Sequence, residues 1–115
     1  MNTKPQPIGI QQHFWTAEDV RDCIAESEVV VFAKGTQSNP RCGFSKELFS
    51  AVEEAGRPYR VIDVCAEPSV LPALGVYQGQ RYLPSVYLKG ELLGTGLDLG
   101  RLLSSGKIQE KLKQS

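Results

Sequence analysis

Long apolar runs are missing from this chain of 115 residues. The longest, Val29 to Ala33, falls far short of the ~20 residues a helix needs to cross a bilayer, so no membrane span is expected. Cysteine is scarce. Three, at positions 23, 42 and 65, are too few and too far apart for a disulfide framework. No CxxC occurs, so one chain alone offers no zinc-type ligand set. The single histidine, His13, stands alone in the N-terminal stretch and reads as solvated rather than as a ligand. Charge of either sign is not in excess: 13 basic and 13 acidic residues give a formal net charge of zero. Without a basic block or an aromatic-interleaved basic stripe, nucleic acid is not expected as a partner. The opening stretch "MNTKPQPIGIQQHFW" has neither the apolar core of a secretory signal nor the Arg-rich pattern of a transit peptide. It reads as a short arm, residues 1–15, on a cytoplasmic protein.

What is present suits one compact domain over residues 16–115. An apolar fraction of 41% is ordinary for a globular protein, and the length supports one core, not two. Thr16 and Asp19 have the spacing of a capping box, and Val20, Cys23 and Ile24 fall on one helical face, where Cys23 reads as core. Phe14 and Trp15 are expected to pack on the domain just before that helix. "VVVFA" (29–33) is uniformly apolar and β-branched, the mark of a central strand buried on both faces. A loop broken by Gly35, Asn39 and Pro40 follows. Phe44, Leu48, Phe49 and Val52 have helical spacing, with Gly56 as the stop. "YRVIDV" (59–64) reads as a second strand. Residues 68–77 hold a short helix weakened by Pro72 and Gly75. "SVYLKG" and "LLG" form a hairpin turning at Lys89-Gly90-Glu91. Two closing helices, 97–103 and 108–112, are split by Ser104-Ser105-Gly106. The order predicts a small α/β sandwich. Its first two strands, joined through a helix, are expected to be parallel, and its last two antiparallel.

In that topology Cys42 lies between the carboxyl end of a central strand and a helix start. Ligand sites of α/β sheets gather at the carboxyl ends of strands. A helix N-terminus and nearby Lys34 and Arg41 favour the thiolate, which is both nucleophile and metal ligand. The alternative is a free cysteine in a polar loop with no role.

"KGTQSNPRCGFS" (34–45), with "SVYLKGELLG" and "SSGKIQEKL" further on, resembles the monothiol, CGFS-type glutaredoxin family from about Val29 onward. The tetrapeptide and the loop length between lysine and cysteine are the specific part of the match. The resemblance implies a thioredoxin-like fold, a four-stranded mixed sheet flanked by helices. It implies Cys42 as the active cysteine and metal ligand, with Ser45 where dithiol relatives carry a second cysteine. It implies a glutathione site made by Lys34, Cys42, Phe44, Leu83, Pro84, Gly96, Leu97 and Asp98. Lys34 would take the glycyl carboxylate, and a cis bond at Pro84 would present the Leu83 backbone to the glutathione cysteine. It further implies a [2Fe–2S] cluster shared by two chains and two glutathiones, delivery of that cluster to apo-proteins, and a BolA-like partner.

The sequence departs from the family at three places in the expected site. Gln80-Arg81-Tyr82 replaces a Trp-Pro-Thr run, Leu71 stands where a helix usually carries a basic residue, and "GTGLD" (94–98) replaces a Gly-Gly-x-Asp segment. Without gaps Leu97 takes the aspartate position, and a shift of one residue gives it to Asp98, whose other reading is a helix N-cap. Arg81 is the nearest cation to stand in for Leu71. Each lost charge contact to a carboxylate costs roughly 1.5–3 kcal/mol. Three functions of different class follow: a cluster carrier, a glutathione-dependent thiol oxidoreductase that uses the Cys42 thiolate alone, or a glutaredoxin-shaped binding module that has lost its ligand. Cys65 is the other cysteine within a domain's reach of Cys42 under oxidation.

Overall fold

A computed structural model describes residues 14–36, 38–40 and 43–114, with the backbone alone at 39, 40, 43 and 44. The arm up to His13 therefore lies outside the described residues. Eleven elements follow one another: α1 (Ala17–Glu26), β1 (Val29–Ala33), β2 (Gly35–Thr36), β3 (Asn39–Pro40), α2 (Gly43–Ala55), β4 (Tyr59–Asp63), α3 (Val70–Gln78), β5 (Ser85–Leu88), β6 (Glu91–Thr95), α4 (Gly96–Ser104) and α5 (Lys107–Lys113).

The start of α1 is set by chemistry legible in the chain. Thr16 Oγ1 accepts from the Asp19 N–H, and the Asp19 carboxylate accepts from the Thr16 N–H at 2.8 Å. Two otherwise unpaired donors are thus satisfied at once. Just ahead, Trp15 is buried, donating its indole N–H to Glu67 and its backbone N–H to Ser69 Oγ. Phe14 does not share that fate. It is 78% exposed, because Trp15 alone fills the space between α1 and the start of α3.

The four-stranded sheet runs β4-β1-β5-β6. β1 pairs parallel with β4, from Val29 opposite Tyr59 to Ala33 opposite Asp63, and antiparallel with β5. Every residue of β1 is buried. Alternation sends Val30 and Phe32 into a core made with α1 and α3, and Val29, Val31 and Ala33 into a second core made with α2, α4 and α5. That is why the strand is apolar at successive positions rather than at every second one. β5 and β6 close a hairpin over Lys89 and Gly90, whose φ values of 50° and 86° give the two left-handed positions a tight two-residue turn requires.

Two further features differ from or sharpen the expectation. The loop after β1 is not simply irregular: Gly35–Thr36 and Asn39–Pro40 pair as a two-stranded antiparallel ribbon. And α3 forms in full despite Pro72, since the proline falls in the first turn, where its missing N–H has no helical partner to lose. The far end of the domain is tied by Arg57, whose guanidinium donates to the backbone carbonyls of Leu112 and Gln114 and to the Glu28 carboxylate.

Candidate functional site

The carboxyl end of β1 and the segment before β5 meet at one end of the sheet. Leaving β1, the Gly35 N–H donates to Asp63 Oδ1 at 2.8 Å, and the same oxygen accepts from the Cys65 N–H at 2.9 Å. One carboxylate at the end of β4 thus holds the first residues of the loop that carries Lys34, whose own side chain is exposed. α2 starts at Gly43, directly after Cys42 in sequence. Cys42 itself and the Phe44 side chain lie outside the described residues, and so does any pairing of Cys42 with Cys65, which is exposed. Ser45, in the first turn of α2, is completely buried. Cys23 is core as expected, and burial pushes its thiol pKa up.

The Leu83–Pro84 peptide is cis. The turn before it is fixed by a web of neutral hydrogen bonds. The Tyr82 carbonyl accepts from Ser85 Oγ at 2.9 Å and from Thr95 Oγ1 at 2.7 Å. The Tyr82 N–H donates to the Gln80 side chain at 2.6 Å, and the Gly96 N–H donates to the Pro84 carbonyl at 3.0 Å. Behind this, Gln78 donates to Ser85 Oγ and to the Gln80 carbonyl, while its own carbonyl oxygen accepts from the Tyr87 hydroxyl at 2.6 Å. Side chains from β5 and β6 therefore converge on the Tyr82 carbonyl, with Gln78 of α3 bonded to Ser85 behind them, and the Gln80-Arg81-Tyr82 segment is held without the Trp-Pro-Thr run it lacks.

Tyr82, Leu83, Thr95, Gly96, Leu97 and Asp98 line an open groove of about 500 Å³. Gly96 has φ 57°, and a Cβ there would lie 3.1 Å from the Tyr82 Cβ, so glycine answers both the backbone and the close approach. Tyr82 and Leu97 are 65% and 71% exposed, which gives the groove apolar lips. Of the predicted residues, the fold brings Leu83, Gly96, Leu97 and Asp98 onto this groove, with Pro84 adjoining it. Lys34 stands at the end of β1 and is not part of its wall. Asp98 is not the helix cap. Thr95 occupies that position in extended backbone, and Asp98 lies in the first turn, 3.3 Å from Arg101. Tyr82 and Thr95 were not singled out as site residues. Their meeting depends on the turn before the cis-proline reaching the end of β6, a contact 13 residues apart that no local pattern encodes. Among the described residues no three His, Cys, Asp or Glu side chains gather to hold a metal ion, and no helix is long and apolar enough to cross a membrane.

The glutaredoxin family model matches residues 29–93. This chain belongs to the glutaredoxin family. The matched span runs from the first residue of β1 into β6, so it takes in the whole 34–45 segment and the cis-proline turn. The chain is similar to monothiol glutaredoxin-4 of Schizosaccharomyces pombe, 33% identical over 112 residues, which covers 96% of this chain but only 45% of that protein. An uncharacterized ycf64-like monothiol glutaredoxin of Synechocystis is 30% identical over 98 residues, covering 85% of this chain and 92% of the relative. The solution structure of a monomeric truncated mutant of Trypanosoma brucei 1-C-Grx1 superposes with a TM-score of 0.69 at 28% identity, covering 86% of this chain and 90% of that one. The fold is thus the thioredoxin-like one of glutaredoxins. Within the family this is a divergent monothiol member: serine, not cysteine, closes its Cys42–Ser45 motif.

The hydroxyl behind the cis-proline turn makes a measurable marker for this glutaredoxin. Burial, with a smaller contribution from Tyr77, pushes the Tyr87 pKa from 10.0 up to about 12. The folded value is raised, so the neutral hydroxyl stabilises the fold below the unfolded value and that contribution is lost as pH climbs from 10 towards 12. Stability should fall across that window by up to about 3 kcal/mol. Tyr87→Phe should flatten the decline, while costing about 1–2 kcal/mol at neutral pH because Gln78 loses its donor. Urea unfolding at pH 8, 10 and 11.5 checks both. An unchanged alkaline slope in Tyr87→Phe would assign the titration elsewhere.

Proposed function

We propose that this protein is a cytoplasmic monothiol glutaredoxin that binds glutathione and carries a [2Fe–2S] cluster between two copies of itself, passing the cluster to apo-proteins. The observation that supports this reading best is the cis Leu83–Pro84 peptide, with Leu83 on the wall of the groove. An extended thiol tripeptide laid along Leu83 pairs with its backbone, next to the Tyr82 carbonyl that the Ser85 and Thr95 hydroxyls hold in place. In this reading Lys34 attracts a ligand carboxylate, while Gly96, Leu97 and Asp98 receive the other end of the ligand. Phe44 is counted among the ligand's contacts, and the Cys42 thiolate is the protein's own ligand to the cluster.

The cluster is cargo, and the donor set suits sharing. A [2Fe–2S] cluster takes four ligands of thiolate type. One motif cysteine per chain supplies a quarter of them, a second copy another quarter, and two glutathiones the rest. Ser45, buried in the first turn of α2, provides no internal thiol to displace the cargo. A BolA-like protein and apo iron–sulfur proteins are the partners this role calls for.

A second reading has an observation of its own. Among the described residues no cation lines the groove, Leu71 is apolar, and Tyr82 and Leu97 present exposed hydrophobic surface. A binding module that has given up glutathione would look the same. Anaerobic reconstitution with iron and sulfide, with and without glutathione, separates the two by visible absorption and gel filtration. The carrier should turn brown and elute as a dimer only with glutathione. A colourless monomer that 5–10 mM glutathione does not stabilise against heat leaves the binding module, since any ligand of the native state must raise stability by mass action.

A further inference from the structure

Thr95 ends β6 and occupies the N-cap of α4, yet its side chain makes no cap hydrogen bond. An N-cap hydroxyl ordinarily stabilises its helix by accepting from the first turn, so that contribution is forgone. The hydroxyl is engaged elsewhere. Strand pairing sets Thr95 opposite Ser85, where the two side-chain oxygens lie 2.8 Å apart, and Thr95 Oγ1 also reaches the Tyr82 carbonyl at 2.7 Å. Ser85 Oγ lies 2.9 Å from the same carbonyl and accepts from Gln78 at 3.2 Å.

Tyr82 O, Ser85 Oγ and Thr95 Oγ1 thus form a triangle, and only the two hydroxyls carry hydrogens to fill it. However those hydrogens are shared out among the three contacts, at least one reaches the Tyr82 oxygen and none is left over for a ligand. Thr95 lines the groove, but it acts on the groove through the chain rather than by donating into it. The Tyr82–Leu83 peptide is planar and trans, the cis bond being the next one. In a trans peptide the C=O and N–H point in opposite directions, so pinning the Tyr82 oxygen fixes where the Leu83 N–H points. Leu83 is half-buried on the groove wall, and among the described residues its N–H has no partner. Backbone donors shielded from water are nearly always paired, so this one is left for something the protein binds.

We propose that Thr95 is a positioning residue for thiol-peptide binding: with Ser85, its hydroxyl aims the Leu83 N–H at a carbonyl of the bound peptide. The inference deepens the glutathione reading and rests on it. It also joins two departures of the sequence into one change. The turn lacks the Trp-Pro-Thr run, and Thr95 falls, without gaps, where the Gly-Gly-x-Asp segment has its second glycine. Glycine has no hydroxyl to reach across to the turn, so the altered turn depends on the threonine that breaks the pattern.

Calorimetric titration of the full chain with reduced glutathione, beside NMR of the Leu83 amide, tests it. Thr95→Val keeps the side chain's shape and removes the hydroxyl, and affinity should fall about fivefold, the worth of one neutral hydrogen bond. Thr95→Ser restores the donor and should bind within about twofold of the native chain. Thr95→Ala, which removes the hydroxyl without adding bulk should the valine variant fail to fold, is expected to lose as much as Thr95→Val. So is Thr95→Gly, although it restores the family residue. On saturation with glutathione the Leu83 amide proton should move downfield in the native and Thr95→Ser chains, and clearly less in Thr95→Val. If Thr95→Val and Thr95→Ala bind glutathione as the native chain does, or if Thr95→Ser loses as much as they do, the assignment is wrong and the glutathione reading stands. If the native chain does not bind glutathione, that reading falls and the assignment with it.

Discussion

Cys42→Ser is expected to leave a folded protein that stays colourless under every reconstitution condition. A hydroxyl is not ionised at neutral pH and is a poor ligand for iron, whereas a cysteine after a strand and before a helix is biased towards the thiolate. The substitution removes one sulfur per chain, and so two of the four ligands in a shared cluster. The loss should therefore be complete in the visible spectrum rather than partial, and the dimer that depends on the cluster should vanish from gel filtration. Stability should shift by no more than about 1 kcal/mol, within the range of substitutions away from the core. Glutathione affinity should change little, because the carboxylate and backbone contacts assigned to Lys34 and Leu83 remain. A brown Cys42→Ser protein would place the cluster on another cysteine. Cys65 is the exposed candidate and Cys23 is buried in the core.

Phe32→Ala is expected to be the most destabilising single substitution discussed. Phe32 is fully buried in the central strand and meets the Tyr87 ring edge to face, with centroids 6.1 Å apart and planes at 83°. Removing such a side chain costs about 3–5 kcal/mol, from lost transfer energy and the cavity left behind. A domain of this size unfolds with about 5–15 kcal/mol in all. The melting temperature should drop by roughly 12–40 °C, taking about 4–8 °C per kcal/mol. The same cavity would sit under Tyr87, so the Gln78–Ser85 web behind the cis-proline should loosen and glutathione binding weaken with it. Urea unfolding beside Val76→Ala, an exposed site on α3 where little change is expected, makes the measurement. A loss below about 1 kcal/mol would mean that the α1–α3 core refills the space.

Legibility in the sequence followed how local each cause is. The capping box at Thr16 and Asp19 is a contact three residues long, and it stands as read. The five apolar residues of β1 announce a strand covered on both faces, and the Lys89-Gly90 turn announces its hairpin. Pro72 misled in the opposite sense, because a proline weakens a helix only beyond its first turn. Phe14 and Trp15 looked alike in composition, yet only Trp15 finds partners, and those partners, Glu67 and Ser69, are more than 50 residues away in the chain. The ribbon of β2 and β3 left no trace beyond three breakers.

The sequence by itself determined the family and the chemistry on offer: one motif cysteine with serine in place of a second, a lysine at the end of the central strand, and a proline before β5. Tertiary structure alone decided how the altered turn is held. Ser85, Thr95 and Gln78 converge on the Tyr82–Ser85 turn from three elements. Those contacts join residues brought close by strand pairing and helix packing. Hydrogen bonds and steric clearance act over about 3 Å of space, whatever the distance along the chain.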